Sequence, residues 1–400
     1  MIRTLGYVTP VRAFSIAGEI YMQAASGRVA EALARHYEKV CVCARVVQGA
    51  PPAPFDPPLN APNLEFVEQP LWGSTAESLF HFFGIARAYL RTCRRADVLF
   101  VRAGCPYTGM LYFCAAVFRK PICHWIVSDP VTLLQTHTRR GRLPDALALL
   151  YALQDRFFTR IGRWVTNGTL ICNGREVARA HNSPRTVEVV SSTIRESEFY
   201  FRADTCQGPV VRILFVGFLR PEKGIEYLLE ALSLLKADVP WELEIVGPRE
   251  FPNYCAKLDG LVATGGIGER IRWLGYVPNG LPLFDRMRAA DIFVLPTLSE
   301  GTPHVLVEAR ANGLPCVSTT AGGVPSTVTD GYDALLVPPK DARALARAIK
   351  RVAGDGELRR ALIRNGLAAA STQTLDRFVA VVLGVLNTNA PAEAVTVLQE

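Results

Sequence analysis

The chain has 400 residues, 49% hydrophobic and 20% charged, with no low-complexity tract. That is the composition of a soluble globular protein, too long for one ordinary core, so two domains are expected. The formal net charge of +7 is lopsided: residues 1–200 hold 23 Lys and Arg against 15 Asp and Glu, and residues 201–400 hold 21 against 22.

An excess confined to the first half points to an anionic partner there, such as a membrane surface or a lipid phosphate. Nucleic acid is set aside, because no stacking aromatic array or DNA-binding motif accompanies the charge. Residues Met1–Val8 run straight into a strand-like pattern without a basic-then-apolar leader. No stretch reaches the roughly 18 apolar residues of a spanning helix. Ala103–Phe118 comes nearest, but it is short and contains Gly104, Pro106 and Gly109. The expectation is a cytoplasmic protein, at most peripheral at the inner face of a membrane. The ten cysteines include no C-x-x-C pair, so they predict buried thiols rather than zinc or redox chemistry.

In chain order, Ile2–Val8, Val40–Ala44, Leu64–Val67, Val98–Val101, Ile122–Val127, Trp164–Cys172 and Val187–Val190 read as short buried strands. Helix-period segments such as Arg28–Tyr37 and Glu77–Arg94 lie between them. Alternation of this kind predicts βαβ units and a parallel sheet covered on both faces. Gly18 and Glu19 fall in the loop after the first strand, at a strand end where a doubly wound sheet takes its ligands. The strand Ile122–Val127 ends in Ser128-Asp129-Pro130, and His124 inside it reads as a core residue. Further on, Arg156, Arg160 and Arg163 fall at i, i+4 and i+7, while Leu149, Leu150, Leu153 and Phe157 occupy another face. Such a basic amphipathic helix suits a membrane surface, or an ordinary docking helix with a solvated edge.

Polar, turn-prone Ser197–Pro209 then separates the two series, which places domains at residues 1–196 and 197–400. A last helix at about residues 372–388 is expected to pack back on the first domain. After the break the pattern restarts with Ile213–Val216, Gly224–Leu235, Leu243–Val246, Ile271–Leu274, Ile292–Leu295, Cys316–Ser318 and Ala334–Val337. Two doubly wound domains would set their strand carboxyl ends, the usual ligand positions, around one central cleft.

The most specific signal is Ser299 to Glu308, which follows Ile292–Leu295 and opens a helix. A strand, a glycine turn and a helix start supply free backbone N–H groups and a positive dipole end, a ready site for a diphosphate. Glu300 and Glu308 would be ~12 Å apart if both were helical. That is wider than the roughly 5–9.5 Å of a glycosidase acid/base pair, and it suits carboxylates gripping opposite ends of a long ligand. Arg220 and Lys223 come just after Ile213–Val216 and can neutralise the charge of a departing diphosphate.

These residues resemble the E-x7-E motif of the retaining GT-B glycosyltransferases of family 4, also called group 1. Gly313 to Val317, Gly322 to Pro325, Asp330-Gly331 and, upstream, Phe215 to Gly224 are similar to the same family. The resemblance implies the GT-B fold and a glycosyltransferase moving a hexose from a nucleotide-diphosphate sugar, with retention, to a glycan or lipid-linked acceptor in envelope polysaccharide or glycolipid assembly. By resemblance Glu308 would hold the ribose hydroxyls and Glu300 those of the donor sugar. Gly217, Gly301 and the amides of Thr302, His304 and Val305 would line the sugar and phosphates. The family often carries Arg directly after the first glycine of its upstream loop, where this chain has Phe218, with Arg220 two positions later. At the acceptor side the family commonly places His or His-Asp after the strand; here Asp129 matches, with His137 as second choice.

No two Asp lie two apart anywhere in the chain, so no D-x-D is present to hold a cation with the diphosphate, and metal-independent transfer is expected. Gly265-Gly266-Ile267-Gly268 is not followed by the glycine that a dinucleotide fingerprint needs, and no P-loop occurs. A GT-B epimerase or phosphorylase, and a non-catalytic scaffold, remain as alternatives.

Overall fold

The computed structural model describes residues 3–49, 56–74, 76–128, 131, 142–181, 183 and 185–388. The chain divides into two compact units, Met1–Val189 with Leu375–Glu400, and Val190–Thr374. The division falls seven residues ahead of Ser197, so Ser191, Ser192 and Thr193 belong to the second unit.

The first unit is built on a sheet of β1 (Thr4–Ile16), β2 (Glu19–Met22), β3 (Lys39–Gln48), β4 (Leu64–Gln69), β5 (Val98–Arg102), β6 (Ile122–Ile126), β7 (Thr169–Asn173) and β8 (Thr186–Val189). Its order is β4-β3-β1-β5-β6-β7-β8, all parallel, with β2 antiparallel to β1. Helices α1 (Ala24–Ala34), α2 (Phe82–Arg95), α3 (Thr108–Val117), α4 (Arg142–Thr166) and α5 (Arg175–Ala180) connect the strands. Two local readings need correction. The first strand does not stop at Val8 but continues to Ile16 and turns back through Ala17 and Gly18 at φ 50° and 89°. Positive φ at both positions is the type I′ signature of a tight hairpin. The segment expected as a strand from Trp164 is instead the end of α4, and β7 begins only after Gly168.

The second unit is a six-stranded parallel sheet: β9 (Val211–Val216), β10 (Trp241–Val246), β11 (Ile271–Gly275), β12 (Ile292–Leu295), β13 (Cys316–Thr319) and β14 (Leu335–Val337). Its order, β11-β10-β9-β12-β13-β14, is the 3-2-1-4-5-6 of a Rossmann domain. Consecutive residues Ile213, Leu214 and Phe215 are all buried, as a strand covered on both faces requires. Helices α6 (Ile225–Leu235), α7 (Pro252–Gly265), α8 (Leu281–Ala289), α9 (His304–Ala311), α10 (Ala342–Gly354) and α11 (Gly356–Ser371) provide that cover.

The stretch Gly356–Asn387 is long and apolar enough to cross a bilayer by length and composition, contrary to the sequence reading. It comprises α11 and a separate helix, α12 (Leu375–Thr388), broken at residues 372–374. Leu375, Phe378, Val379, Val382 and Leu386 of α12 are buried in the core of the first unit. Phe378 lies 4.8 Å from the Trp125 ring centroid. The apolar stripe is therefore consumed by packing, as in a core helix.

Candidate active site

In an open α/β sheet, ligands bind outside the strand carboxyl ends where the strand order reverses. In the second unit that switch point lies between β9 and β12. The loop after β9 runs through Gly217 into a single 3-10 turn, Pro221–Lys223, and into α6 through Gly224 at φ 64°. It is tied to the loop after β12, because the carbonyl of Glu222 accepts from Leu298 N (2.8 Å) and Thr297 Oγ1 (3.0 Å). Those bonds bring the two loops together, and Lys223 Nζ donates to Glu300 Oε1, 77 residues further on. Both side chains are mostly covered, at 22% and 13% exposure, so the pair is less screened than a surface bridge.

A third loop closes on the same spot. A Cβ on Gly322 would stand 2.2 Å from the Glu300 carbonyl oxygen, and one on Gly323 would stand 1.8 Å from that of Gly301. Only glycine lets these backbones touch. Gly323→Ala is therefore expected to push the Glu300–Gly301 segment away and lower turnover at least tenfold. A solution structure or hydrogen exchange over residues 297–303 would show the displacement; wild-type exchange and wild-type turnover would count against it.

Helix α9 begins at His304 after Pro303, whose backbone is extended. Glu300 thus lies in the loop ahead of the helix, not on it. The first amides of α9 have no intrahelical acceptor and point toward the crevice side of the sheet, with the positive dipole end behind them. Glu308 sits one turn in and is 4% exposed. Its Oε1 accepts from Thr193 Oγ1 and from Asn279 Nδ2 at 3.3 Å. His304 Nδ1 donates to the Ser191 carbonyl at 2.6 Å, which fixes the ring. Thr302 is buried beside them and Val305 packs on the unit's core. Thr193, Asn279 and Ser191 were not foreseen as parts of this site.

The remaining expected residues are placed differently. Arg220 forms an exposed ion pair with Glu250 (3.3 Å), and its guanidinium lies 4.9 Å from the Phe218 and 5.4 Å from the Phe251 ring centroids. Lys223, not Arg220, holds Glu300. Gly217 stands at the end of β9, where a Cβ would meet the Phe215 ring at 3.3 Å and Lys223 Cδ at 3.8 Å. In the first unit Gly18 is at the exposed tip of the β1–β2 hairpin. Asp129 and His137 lie outside the described residues. His124 is a core residue: its Nδ1 is 3.1 Å from Tyr112 Oη, and burial, with His181 nearby, lowers its pKa to about 3.

Residues 200–368 match the family of glycosyl transferases group 1. The second unit is a group 1 glycosyl transferase domain. The chain is 35% identical over 178 residues to a D-inositol 3-phosphate glycosyltransferase of Geodermatophilus obscurus, covering 42% of this chain and 39% of that protein. It is 27% identical over 216 residues to the lipopolysaccharide core biosynthesis glycosyltransferase LpsE of Rhizobium meliloti, covering 52% and 60%. The matches thus span less than two thirds of these relatives. The HepE protein of Anabaena, solved with UDP, is similar in structure with a TM-score of 0.68 at 15% identity, over 96% of this chain and all of that one. Two parallel-sheet units in one chain, the second a glycosyl transferase domain, constitute the GT-B fold.

Proposed function

We propose that the chain is a retaining, metal-independent hexosyltransferase that takes its sugar from a nucleotide-diphosphate donor. The observation that carries this reading is the switch-point crevice of the glycosyl transferase domain, where Lys223 holds Glu300 and the start of α9 holds a buried Glu308. Glu308 would bind the ribose hydroxyls, and the α9 amides of His304 and Val305, with Thr302, the diphosphate and sugar. Glu300 would orient the sugar hydroxyls. As the bond from the anomeric carbon to the diphosphate breaks, the phosphate oxygen leaves with the electron pair. Lys223 is placed to neutralise that charge, the task a metal has in other enzymes. Arg220 could join only by leaving Glu250. Asp129 remains the candidate for acceptor-side work, and Gly18 for donor approach. The HepE complex makes UDP the first nucleotide to test.

The acceptor is proposed to be a glycan or lipid-linked saccharide of the cell envelope, met at the cytoplasmic face of a membrane. The lipopolysaccharide relative and the basic first half support this. Product formation is expected to persist in excess EDTA, and NMR of the product is expected to show the donor's anomeric configuration. Activity lost in EDTA and restored by Mg²⁺ or Mn²⁺ would exclude the metal-independent mechanism, and inverted product would exclude retention. Donor turnover without acceptor would favour the epimerase alternative.

A further inference from the structure

Three arginines of α4 line one cavity of about 280 Å³ together with Thr159, Leu170 and His181. Arg156, Arg160 and Arg163 reach it from one helix face. Among the described residues no Asp or Glu lines it. Like charges at helical spacing repel, so the arrangement is unfavourable by itself. Among the described residues neither Arg160 nor Arg163 has a carboxylate partner, and Arg163 Nε is buried without a hydrogen-bond partner. Burial lowers the Arg163 pKa, as do the neighbouring charges of Arg160 and Arg185. Arg185 lines another cavity with Arg119 and Lys120, where again no carboxylate is found among the described residues.

We propose that the Arg156–Arg160–Arg163 cavity of the first unit binds a phosphate group. The guanidinium forks match phosphate oxygens in geometry, and Thr159 and His181 add short-range polar atoms at the wall. The volume holds a phosphate and some water, at ~30 Å³ for each water. The site is separate from the ligand crevice of its own sheet. Leu170 is the second residue of β7, and His181 follows the carboxyl end of α5, the helix that returns from β7 toward the strand amino ends. A lipid headgroup and a soluble phosphate ester share this chemistry. Exposed Phe157, Ile161 and Trp164 (82%) on the same helix favour the lipid as the source. The membrane reading above enters only there. No residue of the donor crevice takes part in the site.

The test uses Arg160→Glu, an exposed position, with Arg156→Gln as a second variant, and the thermal unfolding midpoint as a control for folding. Inorganic phosphate is titrated in the presence of saturating UDP. Flotation with phosphatidylglycerol/phosphatidylcholine vesicles is compared with phosphatidylcholine alone. In wild type, binding of phosphate, of anionic vesicles or of both is expected, weakened at least tenfold in each variant while UDP affinity is unchanged. Loss confined to vesicles assigns a lipid headgroup, and loss with phosphate assigns a soluble ester. No binding to either, or binding equal in wild type and variants, overturns the proposal. Absence of UDP binding by wild type would count against the donor reading instead.

Discussion

Glu308→Gln is expected to weaken binding of free UDP about 100-fold, while Glu300→Gln leaves that affinity within about twofold and lowers kcat by at least 100-fold. A hydrogen bond to a charged group contributes about 1.5–3 kcal/mol, and a buried carboxylate facing a ribose diol can make two. At 1.4 kcal/mol per factor of ten, the lower end already gives the predicted loss. Glu300 has no partner on a free nucleotide in this reading, since its hydroxyls belong to the sugar. Its contribution appears only when the glycosidic bond is stretched, so it should act on kcat. Glutamine keeps the side-chain shape, which matters because Glu308 also holds Thr193 and Asn279. The Lys223–Glu300 bond adds a check. Lys223→Ala and Glu300→Gln should be non-additive, because each variant disrupts the same pair. Calorimetry with UDP and initial rates with a donor sugar decide it. Equal affinity losses in the two glutamate variants would refute the division of labour.

The elements of this site were visible in sequence to different degrees, and the reason is the range of the interactions involved. The strand–glycine–helix signature from Ile292 to Glu308 is local, so pattern alone locates it. The meeting of Lys223 with Glu300 could be guessed, because both follow strands of one sheet and the crevice gathers strand ends. The strand order that makes β9 and β12 neighbours comes with the doubly wound class and not from local periodicity, in which parallel pairing leaves no trace. Thr193 and Asn279 reach Glu308 from 115 and 29 residues away and carry no motif of their own. The polar Ser191–Thr193 run ahead of the expected break was the one available hint. The β1–β2 hairpin was missed for a different reason: Ala17-Gly18 is not among the strongest turn pairs, and Ala13-Phe14 and Ile20-Tyr21-Met22 break any apolar alternation around it. The placement of Arg220 followed from its charge and its position after the strand, and nothing in the sequence marks Glu250 as its nearer partner.

Removing Asp333 is expected to destabilise the glycosyl transferase domain by about 3–5 kcal/mol, the cost of stranding a buried cation. Arg310 is fully buried two residues beyond Glu308 on α9, and its Nη1 donates to Asp333 Oδ2. Nη2 donates to Gln373 Oε1 at 2.7 Å and Nε to the Leu306 carbonyl at 3.2 Å, while Asp333 Oδ1 accepts from Thr329 N at 2.6 Å. Burial works against the charge on Arg310 and Asp333 restores it. Asp333→Ala leaves the buried guanidinium its neutral partners Gln373 and Leu306 but no counter-charge, whereas Arg310→Met with Asp333→Leu removes both charges at once. The double variant should therefore lose far less stability than Asp333→Ala. For a unit of this size a loss of 3–5 kcal/mol lowers the midpoint by roughly 10 °C. The relevant transition is the one that UDP raises, since a ligand stabilises only the unit that binds it. Because Arg310 and Glu308 share a helix of eight residues, the single variant should also loosen UDP binding as α9 shifts. Equal midpoints for Asp333→Ala and the double variant would mean that the ion pair does not anchor α9.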